Sequence, residues 1–220
     1  MKPVTRKSDV FLLFVVLLFI VGIFPSLGFA KTAEEWNTEG LYYLGAGNLD
    51  KALECYSNSI KSDPKYPYAY INRAWIFNLL GKFDKAVSDS TKAIGLNPPY
   101  YLAAAYNNRA WAYCGLGKFY EALPDCNMAI MLDPNISYAY NNRGWAYCGL
   151  GRFEEALDDL DKAIDLTPNE FVSFSYFNRG WAYYGLGEFD DALDDYEKSC
   201  ELKNQFGCEA YEALKNKLDQ

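Results

Sequence analysis

The chain has 220 residues, 50% of them hydrophobic and 23% charged, which is an ordinary composition for a globular domain. It contains no histidine, and this removes the commonest general base and the commonest zinc ligand. The formal net charge is −8, and an acidic chain argues against nucleic acid as a partner. Composition therefore favours neutral or basic partners and gives no support for a catalytic or metal centre.

The first 30 residues have the layout of an export signal. Basic residues precede an apolar run over residues 10–24, and small residues follow up to Ala30. This order predicts a secretory signal peptide that is cleaved after Ala30. Taken over residues 10–30, the segment is also long enough for an uncleaved membrane anchor if Pro25 is tolerated. Both interpretations predict an exported body: periplasmic, secreted, or anchored facing outside the cytoplasm.

A 34-residue pattern recurs five times in the rest of the chain, and its clearest copy runs from Tyr140 to Gly151. Numbered 1 to 34, each unit has a small residue at positions 8 and 27, glycine at 15 and alanine at 20. Glycine at position 15 is typical of the end of a first helix. Acidic residues at positions 18 and 19 are typical of the start of a second helix, and proline at position 32 is typical of the end of that helix. The units are 33–66, 67–100, 103–136, 137–170 and 173–206.

With an aromatic residue at position 4 and mostly tyrosine at 11, this pattern resembles the tetratricopeptide repeat family over residues 33–206. The resemblance implies an all-α, right-handed solenoid in which each unit is a helix A, a turn and a helix B. It also implies a non-enzymatic protein–protein interaction module. The chain carries no G-x-S-x-G, P-loop, dinucleotide-binding or H-E-x-x-H motif, so we predict no catalytic residues and no cofactor.

One stripe of helix A carries the predicted binding site. At about 100° per residue, positions 2, 6, 9 and 13 lie opposite the core stripe of positions 4, 8 and 11, and the resemblance places them on the concave wall. An asparagine amide both donates and accepts, so a ladder of asparagines at position 6 predicts a groove for an extended peptide, with indoles adding apolar area. The predicted groove residues are Asn72, Asn108, Asn142, Asn178, Trp75, Trp111, Trp145, Trp181, Tyr138, Phe174 and Tyr184.

Other interpretations of this stripe stay open. The tryptophans at position 9 can wedge between neighbouring A helices while the asparagines simply suit a surface. Tryptophan also stacks on sugars, which gives a glycan-binding groove, and a membrane-anchored scaffold that self-associates is a third alternative. Burial of the tryptophans between A helices would remove the main support for the groove. The sequence gives neither the identity of the partner nor the oligomeric state.

Arginine at position 7 and aspartate at position 23 change together. Unit one has Glu39 and Cys55 at these positions, and the other four units have arginine and aspartate. The joint change predicts that the two positions touch, as structural ion pairs between helix A and helix B that fix their register. The predicted pairs are Arg73 with Asp89, Arg109 with Asp125, Arg143 with Asp159, and Arg179 with Asp195.

The six cysteines fall into two groups. Cys114 and Cys148 share position 12 in neighbouring units, where stacked helices lie about 10 Å apart, beyond the reach of a disulfide. Cys200 and Cys208, with their flanking residues, look like the linked helices of cysteine-bearing Sel1-like repeats. That resemblance implies a disulfide that fastens a capping helix over residues 207–220. Without histidine or a second cysteine pair, no metal site is predicted.

Overall fold

The computed structural model describes residues 30–166 and 172–219. Within these ranges the chain forms eleven helices and no strand, so the expected all-α solenoid is confirmed. The helices are α1 Ala33–Gly45, α2 Leu49–Ser62, α3 Pro67–Leu79, α4 Phe83–Leu96, α5 Leu102–Gly115, α6 Phe119–Leu132, α7 Ser137–Gly149, α8 Phe153–Leu166, α9 Ser173–Leu186, α10 Phe189–Glu201 and α11 Gln205–Leu218.

The helices form five antiparallel A–B pairs, and α11 packs on the last pair. The predicted export signal lies outside the described residues, apart from its last residue, Ala30. Among the helices that are described, none combines the length and the apolarity that a membrane span requires.

The turn between the two helices of each unit depends on the glycine at position 15. All five of these glycines have positive φ, between 65° for Gly81 and 82° for Gly187. An L-residue with a side chain is strained in this left-handed region, so glycine lets the chain leave helix A and start helix B within three or four residues. The sequence prediction for the end of helix A is confirmed.

Within each unit, helix A and helix B touch where position 8 faces position 24. A Cβ atom added to Gly144 would lie 2.5 Å from Cγ of Leu160, so glycine is required there for the two helices to come this close. Units with glycine at position 8 carry a large residue at 24, and units with alanine carry a small one. The five combinations are Gly40 with Tyr56, Ala74 with Ser90, Ala110 with Cys126, Gly144 with Leu160, and Gly180 with Tyr196.

A second contact of the same kind joins units two and three, three and four, and four and five. The ring at position 17 of one unit lies on a helical glycine at position 13 of the following unit, as Phe83 lies on Gly115. A Cβ on Gly115 would be 2.5 Å from the ring. Phe119 on Gly149 and Phe153 on Gly185 repeat the arrangement. Missing Cβ atoms therefore let an aromatic ring enter each of these junctions.

The two ends of the solenoid differ. At the C-terminal end, α11 contributes Leu214 to a core cluster with Ala192 and Tyr196 of α10. This helix begins at Gln205, two residues before the predicted start, because the Asn204 side chain caps it by accepting from the N–H of Phe206 and Gly207. At the N-terminal end Tyr42 is 72% exposed, although position 10 is fully buried in the other four units.

The pairing of positions 8 and 24 predicts a specific rescue. Gly144→Ala should lower the free energy of unfolding by about 1–3 kcal/mol through overpacking against Leu160, despite the better helix propensity of alanine. Adding Leu160→Cys recreates the Ala110–Cys126 combination of unit three and should make the double variant more stable than either single variant. Urea unfolding of the four proteins measures this coupling, and additive losses would contradict the packing account.

Candidate functional site

The asparagines at position 6 do not line an open groove. Asn142 is 5% exposed, and its Nδ2 donates to Oδ1 of Asn107 in the preceding A helix at 2.9 Å. Asn178 donates to Asn141 in the same way at 3.0 Å. Asn72 donates to Oδ1 of Asn37 at 2.9 Å and Asn108 to the main-chain oxygen of Ile71 at 3.0 Å.

These contacts correct the predicted peptide ladder. Asn108, Asn142 and Asn178 are buried, and the amide nitrogen of each donates a hydrogen bond to the preceding unit. The physical reason is the closeness of neighbouring A helices, which turns position 6 toward the preceding unit instead of toward solvent. Asn72 is partly exposed, but its amide donates in the same pattern. The asparagines therefore join the units.

Position 12 adds a second hydrogen bond to each of the three junctions between units two and five. Nδ2 of Asn78 donates to the main-chain oxygen of Asn108 at 2.8 Å. The thiols of Cys114 and Cys148 stand 3.4 and 3.5 Å from the carbonyl oxygens of Asn142 and Asn178, within reach of S–H donation. Burial raises the pKa of both thiols, to about 12 for Cys148, so they keep the proton that they donate.

The tryptophans at position 9 are half-buried, and they pack backward. Trp145 contacts a cluster that includes Cys114 and Ala122 of the preceding unit, and Trp181 contacts a cluster with Cys148 and Leu160. Trp75 packs in the same way against unit one, and Trp111 is also half-buried. Most of each indole is therefore buried, as the wedge interpretation expects. Only the remaining part is accessible to a ligand.

Exposed aromatic area on this side comes instead from position 2. Tyr138 is 45% and Phe174 is 48% exposed. Tyr68 occupies the position in unit two, and its ring centroid lies 5.3 Å from that of exposed Tyr101. Unit three has alanine at position 2, and Tyr101, one of two residues inserted before that unit, supplies its aromatic ring. The aromatic row is defined as Tyr68, Tyr101, Tyr138 and Phe174.

The sequence interpretation missed Tyr101 and misplaced Tyr184. The signal for Tyr101 was the aromatic insertion directly before a unit that lacks an aromatic residue at position 2. Tyr184 belongs to the C-terminal junction, because its hydroxyl accepts a hydrogen bond from Nζ of Lys217 at 3.0 Å and its ring packs against Phe189. It is not part of the aromatic row.

Charge separates the inner side of the solenoid from the outer side. In units two to five, positions 2, 5, 6, 9, 12 and 13 contain no Asp, Glu, Lys or Arg. In contrast, the B helices α8 and α10 each carry six acidic residues and one lysine. The face that presents the aromatic row is therefore uncharged, while the B helices of units four and five are strongly acidic.

The arginines at position 7 connect three helices. Nε and Nη2 of Arg143 bind Oδ2 and Oδ1 of Asp159 on helix B of the same unit, both at 2.6 Å. Its Nη1 donates to Oδ1 of Asn127 on helix B of the preceding unit at 2.7 Å. Arg73 with Asp89, Arg109 with Asp125, and Arg179 with Asp195 repeat the two-pronged contact.

The third contact of each arginine was not predicted. It goes to position 25 of the preceding unit, where the sequence always offers a side-chain oxygen acceptor: Ser57, Thr91, Asn127 or Asp161. Hydrogen bonds to Asp159 raise the pKa of Arg143, while burial raises the pKa of Asp159 above its usual value. In unit one, Glu39 instead pairs with Lys31, and Cys55 is a buried free thiol.

Cys200 and Cys208 form a disulfide, with Cα atoms 4.5 Å apart, that links the end of α10 to α11. Cys55, Cys114, Cys126 and Cys148 are free and buried. Across residues 30–166 and 172–219, the structure brings together no group of three His, Cys, Asp or Glu side chains that could hold a metal ion.

Comparison with known proteins identifies the family. Three sequence models described as tetratricopeptide repeat match residues 37–101, 103–136 and 135–205, and together they leave only one residue unmatched between 37 and 205. The chain belongs to the tetratricopeptide repeat proteins.

The similar curated proteins are much longer than the matching segment. The chain is 35% identical over 68 residues to TPR repeat-containing protein MJ1428 of Methanocaldococcus jannaschii, covering 31% of this chain and 12% of that protein. It is 39% identical over 67 residues to RNA polymerase II-associated protein 3 of Gallus gallus, with 30% and 10% covered. For mitochondrial import receptor subunit TOM70 of Rattus norvegicus the identity is 36% over 76 residues, with 32% and 12% covered. The match spans about a tenth of the length of each relative.

Solved structures share the fold. The thermophilic TPR protein TTC0263 of Thermus thermophilus superposes with a TM-score of 0.67 at 22% identity, covering 83% of this chain and 98% of that one. A chain of the APC/C hetero-tetramer Cut9–Hcn1 gives 0.75 at 22% identity, with 95% and 40% covered. YrrB, described as a TPR protein with an unusual peptide-binding site, gives 0.57 at 18% identity, with 82% and 92% covered.

The buried position of Asn142 leads to a stability prediction. Asn142→Ala should lower the free energy of unfolding by about 1–2 kcal/mol, because Oδ1 of Asn107 loses its donor in a buried junction. Urea unfolding followed by circular dichroism measures the loss. Asn135→Ala, in an exposed turn, serves as the matched control and should unfold like the unchanged protein. Equal stability of the two variants would show that the amide of Asn142 does not hold the junction.

The ion pairs give a pH-dependent prediction. Arg143→Met leaves the buried Asp159 carboxylate without its cation and should lower the free energy of unfolding by about 3 kcal/mol at pH 7. In this variant the folded pKa of Asp159 stands above its unfolded pKa, so the contribution of Asp159 is favourable at low pH and is lost as the pH rises through the folded value. The deficit should therefore shrink between pH 7 and about pH 4.

Arg152→Met provides the matched control for this experiment, because Arg152 pairs with Glu155 on the exposed surface. It should unfold like the unchanged protein at every pH tested. A deficit for Arg143→Met that stays constant from pH 7 to about pH 4 would contradict the assignment of the loss to the Asp159 charge.

Proposed function

We propose that this protein is an exported interaction module that binds an extended peptide segment along the aromatic row. The observation that carries the proposal is the exposure of large aromatic side chains on the uncharged inner face, with Tyr138 at 45% and Phe174 at 48%. Rings of this size supply much of the contact area in protein recognition, and exposed aromatic groups in a row are typical of a contact surface. The accessible parts of Trp145 and Trp181 lie one or two helical turns further along the same stripe and extend it.

The comparisons support this class of function. Tetratricopeptide repeats are protein interaction modules, YrrB is described as having a peptide-binding site, and TOM70 as an import receptor subunit. What those proteins bind is not transferred to this chain. Their relevance is that proteins with this repeat include a peptide-binding protein and a receptor subunit.

Export is part of the proposal. The layout of residues 1–30 supports it, and so does the Cys200–Cys208 disulfide, because disulfides persist mainly in oxidising compartments outside the cytoplasm. We interpret the five helical pairs as five repeats and the disulfide-linked α11 as a Sel1-like cap. The segment over residues 10–30 is then a cleaved signal or an anchor that holds the solenoid at a membrane surface.

The two alternatives have narrower support. A glycan groove needs open indole faces, and the indoles at position 9 are half-buried against the preceding unit. The assembly-scaffold alternative is supported by exposed Leu41 and Tyr42 at the N-terminal end. In the other units, positions 9 and 10 make contacts between repeats. Tryptophan fluorescence with oligosaccharides and light scattering over a range of protein concentration test these alternatives.

The aromatic row makes a direct prediction about binding. The double variant Tyr138→Ala with Phe174→Ala should lose capture on a peptide array and bind a captured peptide at least about tenfold more weakly by fluorescence anisotropy. Its far-UV circular dichroism should keep the helical signal of the unchanged protein, although its thermal unfolding temperature should fall somewhat, because only about half of each side chain is exposed. Tyr120→Ala removes a more exposed tyrosine from helix B and serves as the control, with binding unchanged. Equal capture by both variants would refute the proposed site.

A further inference from the structure

We infer that one edge of the solenoid rests on the surface of a lipid bilayer, next to a membrane anchor formed by residues 10–30. This edge, called the loop edge, is the one at which the B helices end and the following A helices begin. Its described loops are 63–66, 97–101, 133–136 and 202–204. The inference goes beyond the proposed peptide site, because it chooses the anchor form of the export segment and rests on side chains outside the aromatic row.

Large apolar side chains are exposed at three points along the loop edge. They are Tyr100, Met131, Leu132 and Phe206, with exposed fractions of 86, 66, 44 and 60%. Tyr100 lies in the loop between α4 and α5. Met131 and Leu132 are the last two residues of α6, and Phe206 lies in the first turn of α11. Apolar groups exposed along one surface are typical of a contact, and tyrosine is enriched where a membrane meets water.

Charge distinguishes the loop edge from the opposite edge, where Leu80 and Tyr120 are also exposed. The first turns of α3, α5, α7, α9 and α11 begin at the loop edge and contain no charged residue. The first turns of α2, α4, α6, α8 and α10 begin at the opposite edge, and each contains at least one acidic residue. At the loop edge only α1 has such residues, Glu34 and Glu35.

This difference does not follow from helix stability. Acidic side chains are favourable at any helix N-terminus, so the A helices forgo a stabilising group that the B helices have. An edge that touches a bilayer loses water, and this loss costs far more for a carboxylate than for an uncharged side chain. An uncharged edge with exposed apolar residues is therefore suited to the interface of a bilayer, and the acidic opposite edge is suited to water.

The charged residues within the described loops are few and balanced. Two aspartates and two lysines occur there: Asp63, Lys65, Asp133 and Lys203. Oδ1 of Asp63 accepts from the N–H of Lys65 at 2.8 Å, and Oδ1 of Asp133 accepts from the N–H of Asn135 at 3.0 Å. Both carboxylates therefore have a role in forming their own turns, and the loops as a whole carry no net charge that a membrane surface would repel.

The predicted anchor would join the solenoid at this same edge. The main-chain oxygen of Lys31 accepts a hydrogen bond from Oγ of Ser62, the last residue of α2, at 3.1 Å. The chain therefore enters the solenoid beside the end of a B helix. With residues 10–30 as the anchor, only Lys31 and Thr32 separate it from α1, which is a reach of about 10 Å at most. The opposite edge lies about 20 Å further away, at the far end of the 13-residue α1.

The test uses the full chain in phosphatidylcholine vesicles, with a nitrobenzoxadiazole label on an introduced cysteine. The four free cysteines are buried, so an introduced exposed cysteine reacts selectively. Tyr100→Cys and Met131→Cys each place the label on the loop edge. Tyr120→Cys places it on the opposite edge at a side chain that is also highly exposed, 76%, and serves as the matched control.

We expect the label at positions 100 and 131 to show a blue-shifted emission and to be quenched by doxyl-labelled phosphatidylcholine. The label at position 120 should show neither effect. In a second measurement, Met131→Asp with Phe206→Asp should remove the lipid quenching of the label at Tyr100→Cys, because aspartate resists desolvation at the bilayer. Its far-UV circular dichroism should stay helical, since both replaced side chains are exposed.

Lipid quenching that is equal at both edges, or absent from both, would overturn the inference. A blue shift at the loop edge that grows with protein density and is not quenched by lipid would show that a second copy covers the edge, and would also overturn it. Peptide capture through Tyr138 and Phe174 is measured separately on the same vesicles. Capture without lipid quenching at position 100 would leave the proposed function standing, and quenching without capture would refute only the peptide site.

Discussion

A single guanidinium group at position 7 connects the helices of every unit from the second to the fifth. Its fork binds an aspartate of the same unit, and its remaining nitrogen reaches an acceptor in the preceding unit, as Arg143 does with Asp159 and Asn127. One side chain therefore fixes both the angle within a unit and the stacking between units. In a solenoid each unit contacts only its neighbours, so a device of this kind must be repeated along the chain. Unit one, the first of the five, has Glu39 at this position instead.

The arginine contacts at position 7 and the asparagine contacts at position 6 together determine which side chains remain available to a partner. Asn142 and Cys148 make hydrogen bonds between units, and Trp145 packs on the unit before it. Asn142 and Trp145 lie on the stripe of positions 2, 6, 9 and 13 and Cys148 lies beside it, yet each has a role in holding the units together. The stripe is therefore structural over most of its length, and its accessible parts are position 2, the edges of the indoles and, in unit two, Leu79 and part of Asn72.

The sequence predicted the fold well and the site only in part. Both results have one reason: the repeat pattern reveals contacts within a unit but not contacts between units. Positions 8, 15 and 20 follow from contacts inside one unit, which a single repeat of the pattern reveals, and the Arg143–Asp159 contact also lies within one unit. The roles of Asn142 and of the acceptor at Asn127 depend on how one unit stacks on another. A helical wheel at about 100° per residue divides a helix into faces but does not say how closely the next helix approaches.

The separation between position 2 and positions 6, 9 and 12 has a consequence for specificity. Position 6 is asparagine and position 9 tryptophan in units two to five, because each junction needs the same contacts. Position 2 changes from Tyr68 to Ala104 to Tyr138 to Phe174 and does not follow the uniform pattern of positions 6 and 9. Where alanine removes the ring, the inserted Tyr101 places another beside Tyr68. The proposed row therefore has two rings in contact at unit two and none at position 2 of unit three. Under the proposed function, the partner contacts the row as a whole and does not depend on any single ring of it.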